Sequence, residues 1–215
     1  LATPGMTDLY NFQMASYAYS TNLFMRRAGI PDPNSLFEIH DLMPPAEVGA
    51  DWTNRAPDME PFVVMDDGFV KVTAVLVPHG PVYPSYAFRF DSEEGSVVFS
   101  GDTAKSANVV RLAQGADMLV HEVIDFNFYV NFLGLDPSLL QHLLRSHTDV
   151  RDLGPLAEQA QVDRLVLTHL VPADPKLMSD GQWKRNAKKG YSGQVFVGDD
   201  LMSLPLRHPR RRHIA

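Results

Sequence analysis

The chain has 215 residues, 45% of them apolar and 21% charged, with a net charge of −7. These are the proportions of a globular protein with a core, and the acidic balance argues against nucleic-acid binding through a general basic field. With no cysteine there is no disulfide and no thiolate metal site, and no apolar run approaches the roughly 20 residues that span a bilayer. Compartment stays open.

In chain order, residues 1–29 read as an aromatic-rich helix, with Thr7 and Asp8 as caps and Gly29 as its stop. A loop (Ile30–Asn34) and a short extended piece (Leu36–His40) follow, then a stretch from Asp41 to Pro61 carrying Pro44, Pro45, Pro57 and Pro61 that should wander over the surface. His40 beside Asp41 reads as a surface or helix-packing histidine. From Pro61 the texture becomes short strands. Phe62–Met65 and Phe69–Val77 flank an Asp66-Asp67-Gly68 turn, and Tyr86–Phe90 and Val97–Phe99 flank Asp91–Gly95. Strand and helix then alternate: helix Ser106–Gln114, strand Asp117–Val120, helices Pro137–Leu144 and Val150–Ala160, strand Arg164–Thr168. A polar Lys184–Gly190 segment precedes a last strand, Gln194–Val197. Strands first and alternation afterwards imply an α/β chain with a mixed sheet and helices outside. The tail, 207–215, is basic through Arg207, Arg210, Arg211 and Arg212 and reads as a solvated end.

Three strands run into a metal-ligand residue type: Val72–Val77 into His79, Val97–Phe99 into Asp102, and Leu165–Thr168 into His169. Each alone reads as a turn, cap or packed residue. Three such placements in one sheet read equally as a shared site of imidazole and carboxylate, a set suited to zinc, manganese or iron. Gly101 lets the chain turn tightly before Asp102. His121-Glu122 closes another strand and His147 precedes a helix. A histidine held by a carboxylate is a common proton donor, and Glu122 is equally read as a structural hydrogen-bonding residue. Phe126, Phe128, Tyr129 and Phe132 read first as core or interface aromatics.

The ordered set Val77-Pro-His79-Gly80, Tyr86, Phe99-Ser-Gly-Asp102-Thr103, Val120-His-Glu122, Ser146-His147-Thr148 and Leu167-Thr-His169 resembles the metallo-β-lactamase superfamily. The branch it is most similar to holds ribonuclease Z-like phosphodiesterases and arylsulfatase-type hydrolases. The resemblance implies an αββα sandwich over residues 1–215 as one domain, incomplete at the N-terminus, with residues 1–60 as a lid-like segment. It further implies two divalent metal ions, zinc first, held by His79, Asp102 (bridging) and His169, with Glu122 and His147 relaying a proton to the leaving group. His121 matches a position that is not a ligand. The family's His-x-His-x-Asp-His motif is absent from the sequence, which reads as the C-terminal part of a longer hydrolase. The implied reaction is hydrolysis of a small anionic ester, a phosphodiester or aryl sulfate, by metal-bound hydroxide. Lactone or thioester hydrolysis and a non-catalytic scaffold are the alternatives. The short acidic Asp91–Gly95 connection replaces a long tRNA-clamping arm, so the expected substrate is a small molecule, with no tRNA and no membrane partner. Apolar sheet surface makes a homodimer an expectation.

Overall fold

A computed structural model describes residues 5–134 and 136–206 of the chain. The basic tail expected at 207–215 lies outside the described residues. Contacts divide the chain into two compact units, residues 1–44 and 45–215.

The first unit is dominated by α1 (Met6–Ala28), stopped by Gly29 in the left-handed region. Its start is not capped by Thr7 or Asp8. The Asp41 carboxylate, distant in sequence, accepts from the backbone amides of Gly5 and Thr7 at 3.2 Å each and from the Thr7 hydroxyl. That engagement satisfies amides a helix start leaves free. His40 pairs with Glu38 at 2.9 Å and is a surface histidine, as expected.

The second unit is built on one seven-stranded sheet in the order β1 to β7. β1 (Phe62–Asp66), β2 (Val70–Leu76), β3 (Tyr86–Ser92) and β4 (Gly95–Phe99) form an antiparallel meander. β5 (Met118–Ile124), β6 (Arg164–Val171) and β7 (Gln194–Val197) continue from β4 in parallel. Parallel neighbours need crossovers, and helices supply them. α2 (Ala107–Leu112) links β4 to β5. α3 (Phe126–Phe128), a π-helical turn Tyr129–Leu133, α4 (Pro137–Ser146) and α5 (Val150–Gln159) link β5 to β6. α6 (Asp180–Ala187) links β6 to β7. The α/β class with a mixed sheet and outer helices is the one expected; among the described residues there is one sheet.

α2, α5 and α6 touch in turn and form a single layer. Beneath them Val75, Ala87, Val98, Leu119 and Leu165 are wholly buried, the inward residues of five adjacent strands. Arg89 fastens the same face, donating to the carbonyls of Leu112 and Gln114 at the end of α2. On the other face Phe88 pairs with Phe99 and Phe90 with Val97, and Phe99 is exposed.

Two differences from the sequence reading have one cause. β5 runs on to Ile124 and β6 to Val171, so His121, Glu122 and His169 lie within strands rather than after them. Their polar side chains break the apolar runs, yet His121 and Glu122 are fully buried and compatible with pairing. α6 lies where a polar segment was read: it presents only Trp183 and Ala187 inward and opens with a Ser179–Gln182 capping box. No helix of the described residues is long and apolar enough to cross a membrane.

Candidate functional site

Strand direction puts the site residues together. β2 and β4 both run antiparallel to β3, and β5 and β6 run parallel to β4, so these four strands all end at one edge. His79 follows β2, Asp102 follows β4, Glu122 lies near the end of β5 and His169 near the end of β6. Carboxyl ends of parallel strands are where α/β folds place ligands. His147 is carried to the same edge as the residue after α4.

Local backbone fixes each side chain. Gly101 (φ +60°) turns the chain after β4, and a Cβ there would lie 2.8 Å from the Tyr86 carbonyl oxygen. Only glycine fits that turn without displacing backbone, and it aims Asp102 beyond the sheet. At β6 the register jumps: Glu122 faces Thr168 and Val123 faces Leu170, which leaves His169 between them, unpaired, at φ +46°. That bulge re-aims the imidazole out of the sheet. His79 is bonded through Nδ1 to the Ser146 carbonyl at 2.9 Å. A carbonyl only accepts, so Nδ1 carries the proton and Nε2 is left as a free donor atom for a metal.

Glu122 is 1% exposed, and its Oε1 accepts from the amides of Thr148 (2.7 Å) and Thr103 (3.3 Å). Its Oε2 faces His147 Nδ1 at 3.4 Å, and neither atom has another partner among the described residues. The Glu122 carboxylate raises the pKa of His147 above the ordinary imidazole value, with burial opposing. The His147 ring stacks on His169 (centroids 5.5 Å, planes 13° apart) and meets His79 edge-on at 5.3 Å. His169 Nε2 is 3.7 Å from Asp102 Oδ2.

All five residues singled out in the sequence therefore converge. One ligand atom each from His79, Asp102 and His147 lies within 4.8 Å of the others, and the same holds for Glu122, His147 and His169. His147 belongs to both clusters. The donor set, three imidazoles and two carboxylates with one imidazole nitrogen already tautomer-locked, fits a hard or borderline divalent cation. His121 faces away from this chemistry. It is fully buried, its Nδ1 is 2.7 Å from the Glu122 carbonyl oxygen, and burial lowers its pKa. Phe126, read as a core aromatic, is buried and lines a cleft of about 390 Å³ with Leu144 and His147.

Sequence reasoning missed the residues that hold the site. The Thr103 and Thr148 amides, the Ser146 carbonyl and the Ser100 hydroxyl, which accepts from the Glu122 amide at 3.1 Å, are all backbone or small polar groups. Their sequence signal is limited to Thr103 beside Asp102 and to Ser146 and Thr148 on either side of His147.

No protein-family model matches the chain. Ribonuclease Z of Mycobacterium bovis (strain BCG / Pasteur 1173P2) is 35% identical over 142 residues, 66% of this chain and 49% of that protein. Ribonuclease Z of Mycobacterium avium (strain 104) is 34% identical over 146 residues, 68% of this chain and 51% of that protein. Among solved structures, a metallo-β-lactamase fold protein from Bacillus subtilis covers 65% of this chain and 50% of its own (TM-score 0.47, 24% identity). Human tRNase Z, short form, covers 69% and 48% (TM-score 0.46, 19% identity). Over the matched residues the chain is ribonuclease Z-like. It spans about half the length of these curated relatives.

One expectation is overturned. A small-molecule substrate and the exclusion of tRNA conflict with relatives that are ribonucleases. The structure supplies the physical reason. The acidic turn used to exclude tRNA joins β3 to the beginning of β4, whereas Asp102 follows the end of β4. At about 3.3 Å per residue it lies roughly 20 Å from the site. That exceeds the Debye length of about 8 Å at physiological salt, so the turn does not repel a phosphate at the opposite edge.

Proposed function

We propose that the chain carries part of the active site of a metal-dependent phosphodiesterase acting on RNA. The observation that supports this best is the convergence of His79, Asp102, Glu122, His147 and His169 at one sheet edge, in a chain 35% identical to a ribonuclease Z over 142 residues. His79, Asp102 and His169 would hold divalent metal, and zinc is the ion the donor set suits first. When bound, such ions lower the pKa of water and neutralise charge on a phosphodiester.

The protein groups then divide the remaining work. Glu122, locked by two backbone amides through Oε1, presents Oε2 to His147 Nδ1 and favours the doubly protonated ring. His147 delivers its Nε2 proton to the departing oxygen of the ester, so the leaving group departs as an alcohol rather than an alkoxide. The stacked His169 ring and the edge of His79 confine the imidazole to one orientation. Glu122 is a positioning residue here and His147 the catalytic acid.

Zinc or manganese titration into the chain by calorimetry, followed by hydrolysis of a chromogenic aryl phosphodiester and of labelled RNA including tRNA, tests this reading. Metal-dependent RNA cleavage lost in His147→Ala supports it. Metal binding that leaves every phosphodiester intact would refute it for this chain.

A further inference from the structure

A second cleft, of about 500 Å³, opens beside His79. Its walls include Arg55, Gly80, Ser138, Gln141, His142 and Arg145, without a carboxylate. It is tied to the metal-ligating edge by the chain itself. Gly80 directly follows His79, and Arg145 precedes His147 by two residues. The Gly80 amide donates to the Arg145 carbonyl at 2.9 Å, so loop and helix end are joined. α4 sits so close that a Cβ on Gly80 would lie 2.5 Å from Ser146 Oγ.

The two arginines are the notable feature. Elsewhere in this acidic chain the cations near the site are neutralised: Arg151 by Asp149 at 2.6 Å, Lys105 by Asp152 at 2.9 Å. Arg111 is held by Asp58 and Glu60, and Arg89 by Asp91. Arg55 and Arg145 have no ion pair among the described residues. Arg55 is part-buried; its Nε is buried without an acceptor, and its Nη1 reaches only the Gly80 carbonyl at 3.4 Å. A guanidinium left under-satisfied and without a counter-charge at a cleft wall is completed by an anion. Its planar fork matches phosphate oxygens.

We infer that this cleft binds a backbone phosphate of a polynucleotide, the one next to the phosphodiester at the His79 edge. The inference rests on the phosphodiesterase reading for its choice of ligand, while the cleft is assembled without any metal. Arg55 and Arg145 grip the phosphate, and Gln141 on α4 offers a neutral hydrogen bond, while the Ser138 amide and hydroxyl are taken by the Asp136 carboxylate. A polymer then gains a contact that a small ester lacks, which raises affinity for RNA over small diesters.

The test is binding of a labelled single-stranded oligoribonucleotide to the full chain in EDTA, read by fluorescence anisotropy across a salt series. Arg55→Gln/Arg145→Gln should weaken binding at least fivefold and flatten the log K against log salt slope by about 0.7 for each lost phosphate contact. Inorganic phosphate should compete in the parent and not in the variant. Equal affinity and slope in both proteins would overturn the inference. So would phosphate binding that the variant loses while oligonucleotide binding persists, since the cleft would then serve free phosphate. If the double variant does not fold by circular dichroism, Arg145→Gln on the exposed side of α4 is read instead. Cleavage by the metal-loaded chain separates the two proposals. Cleft-dependent binding without cleavage defeats the phosphodiesterase reading alone, and RNA cleavage with parental KM in the variant defeats the cleft alone.

Discussion

Glu122 Oε2 and His147 Nδ1 face each other at 3.4 Å, one on β5 and the other at the end of α4, with no competing partner for either atom among the described residues. Glu122 has two tasks that substitution can separate. Glu122→Gln keeps an oxygen for the Thr103 and Thr148 amides but removes the charge that favours protonated His147. It is expected to fold as the parent does and lose roughly 10²- to 10⁴-fold in kcat for phosphodiester hydrolysis, with metal content unchanged. Glu122→Ala strands two buried amides and is expected to lose about 1–3 kcal/mol of stability as well. Denaturant titration with elemental analysis distinguishes the two.

Gly101 is the hinge on which Asp102 depends. Alanine there meets the Tyr86 carbonyl at 2.8 Å at φ +60°, so backbone must shift at the end of β4. Gly101→Ala should lower stability by about 1–3 kcal/mol. Because the shift moves a proposed metal ligand, metal affinity should fall with it. Calorimetric metal titration of the folded variant at low temperature checks this, and parental affinity would show that Asp102 is positioned from elsewhere.

The parts of this site that were legible in the sequence are those where apolar runs end abruptly. Val97–Phe99 followed by Ser-Gly-Asp announces a strand end and a turn, and Asp102 stands where that reading puts it. The bulge at His169 was not legible. Nothing in Leu167-Thr-His-Leu marks one residue as unpaired, because the misregister depends on how β5 lies beside it. α6 was missed because helices that cover a sheet edge need few apolar residues, and here Trp183 and Ala187 suffice. The acidic Asp91–Gly95 turn is legible as a turn, but its distance from the site is not, since which end of the sheet a hairpin occupies is a matter of topology.

His169 holds a conformation that L-residues avoid, at φ +46°. Strain of that kind, about 1–3 kcal/mol, persists where surrounding structure enforces it. His169→Gly removes both the strain and the ligand. Its stability in the absence of metal should stay within about 1 kcal/mol of the parent or exceed it, since glycine's greater unfolded-state entropy offsets the relief. Its metal affinity should drop more than about 10-fold, as ligand loss costs at least what loss of a ligand's support does. A destabilised variant with parental metal affinity would assign His169 to the scaffold.

His121 gives the protein a pH dependence of its own, with the neighbouring Glu122 opposing the effect of burial. It is fully buried, and burial pushes its pKa below the ordinary value of 6.5. Its folded-state value is thus depressed relative to the unfolded chain. The neutral ring's contribution is fully present above about pH 6.5 and is lost as pH falls from there toward the folded-state pKa, because the unfolded chain takes up the proton first. The slope from one such group cannot exceed about 1.4 kcal/mol per pH unit. Urea unfolding in EDTA between pH 8 and 5 should show stability falling below about pH 6.5 in the parent. His121→Phe loses the bond to the Glu122 carbonyl and should be less stable at pH 8, yet it should lack that increment of acid sensitivity. Parallel curves for the two proteins would mean that His121 is reached by solvent and titrates alike in both states.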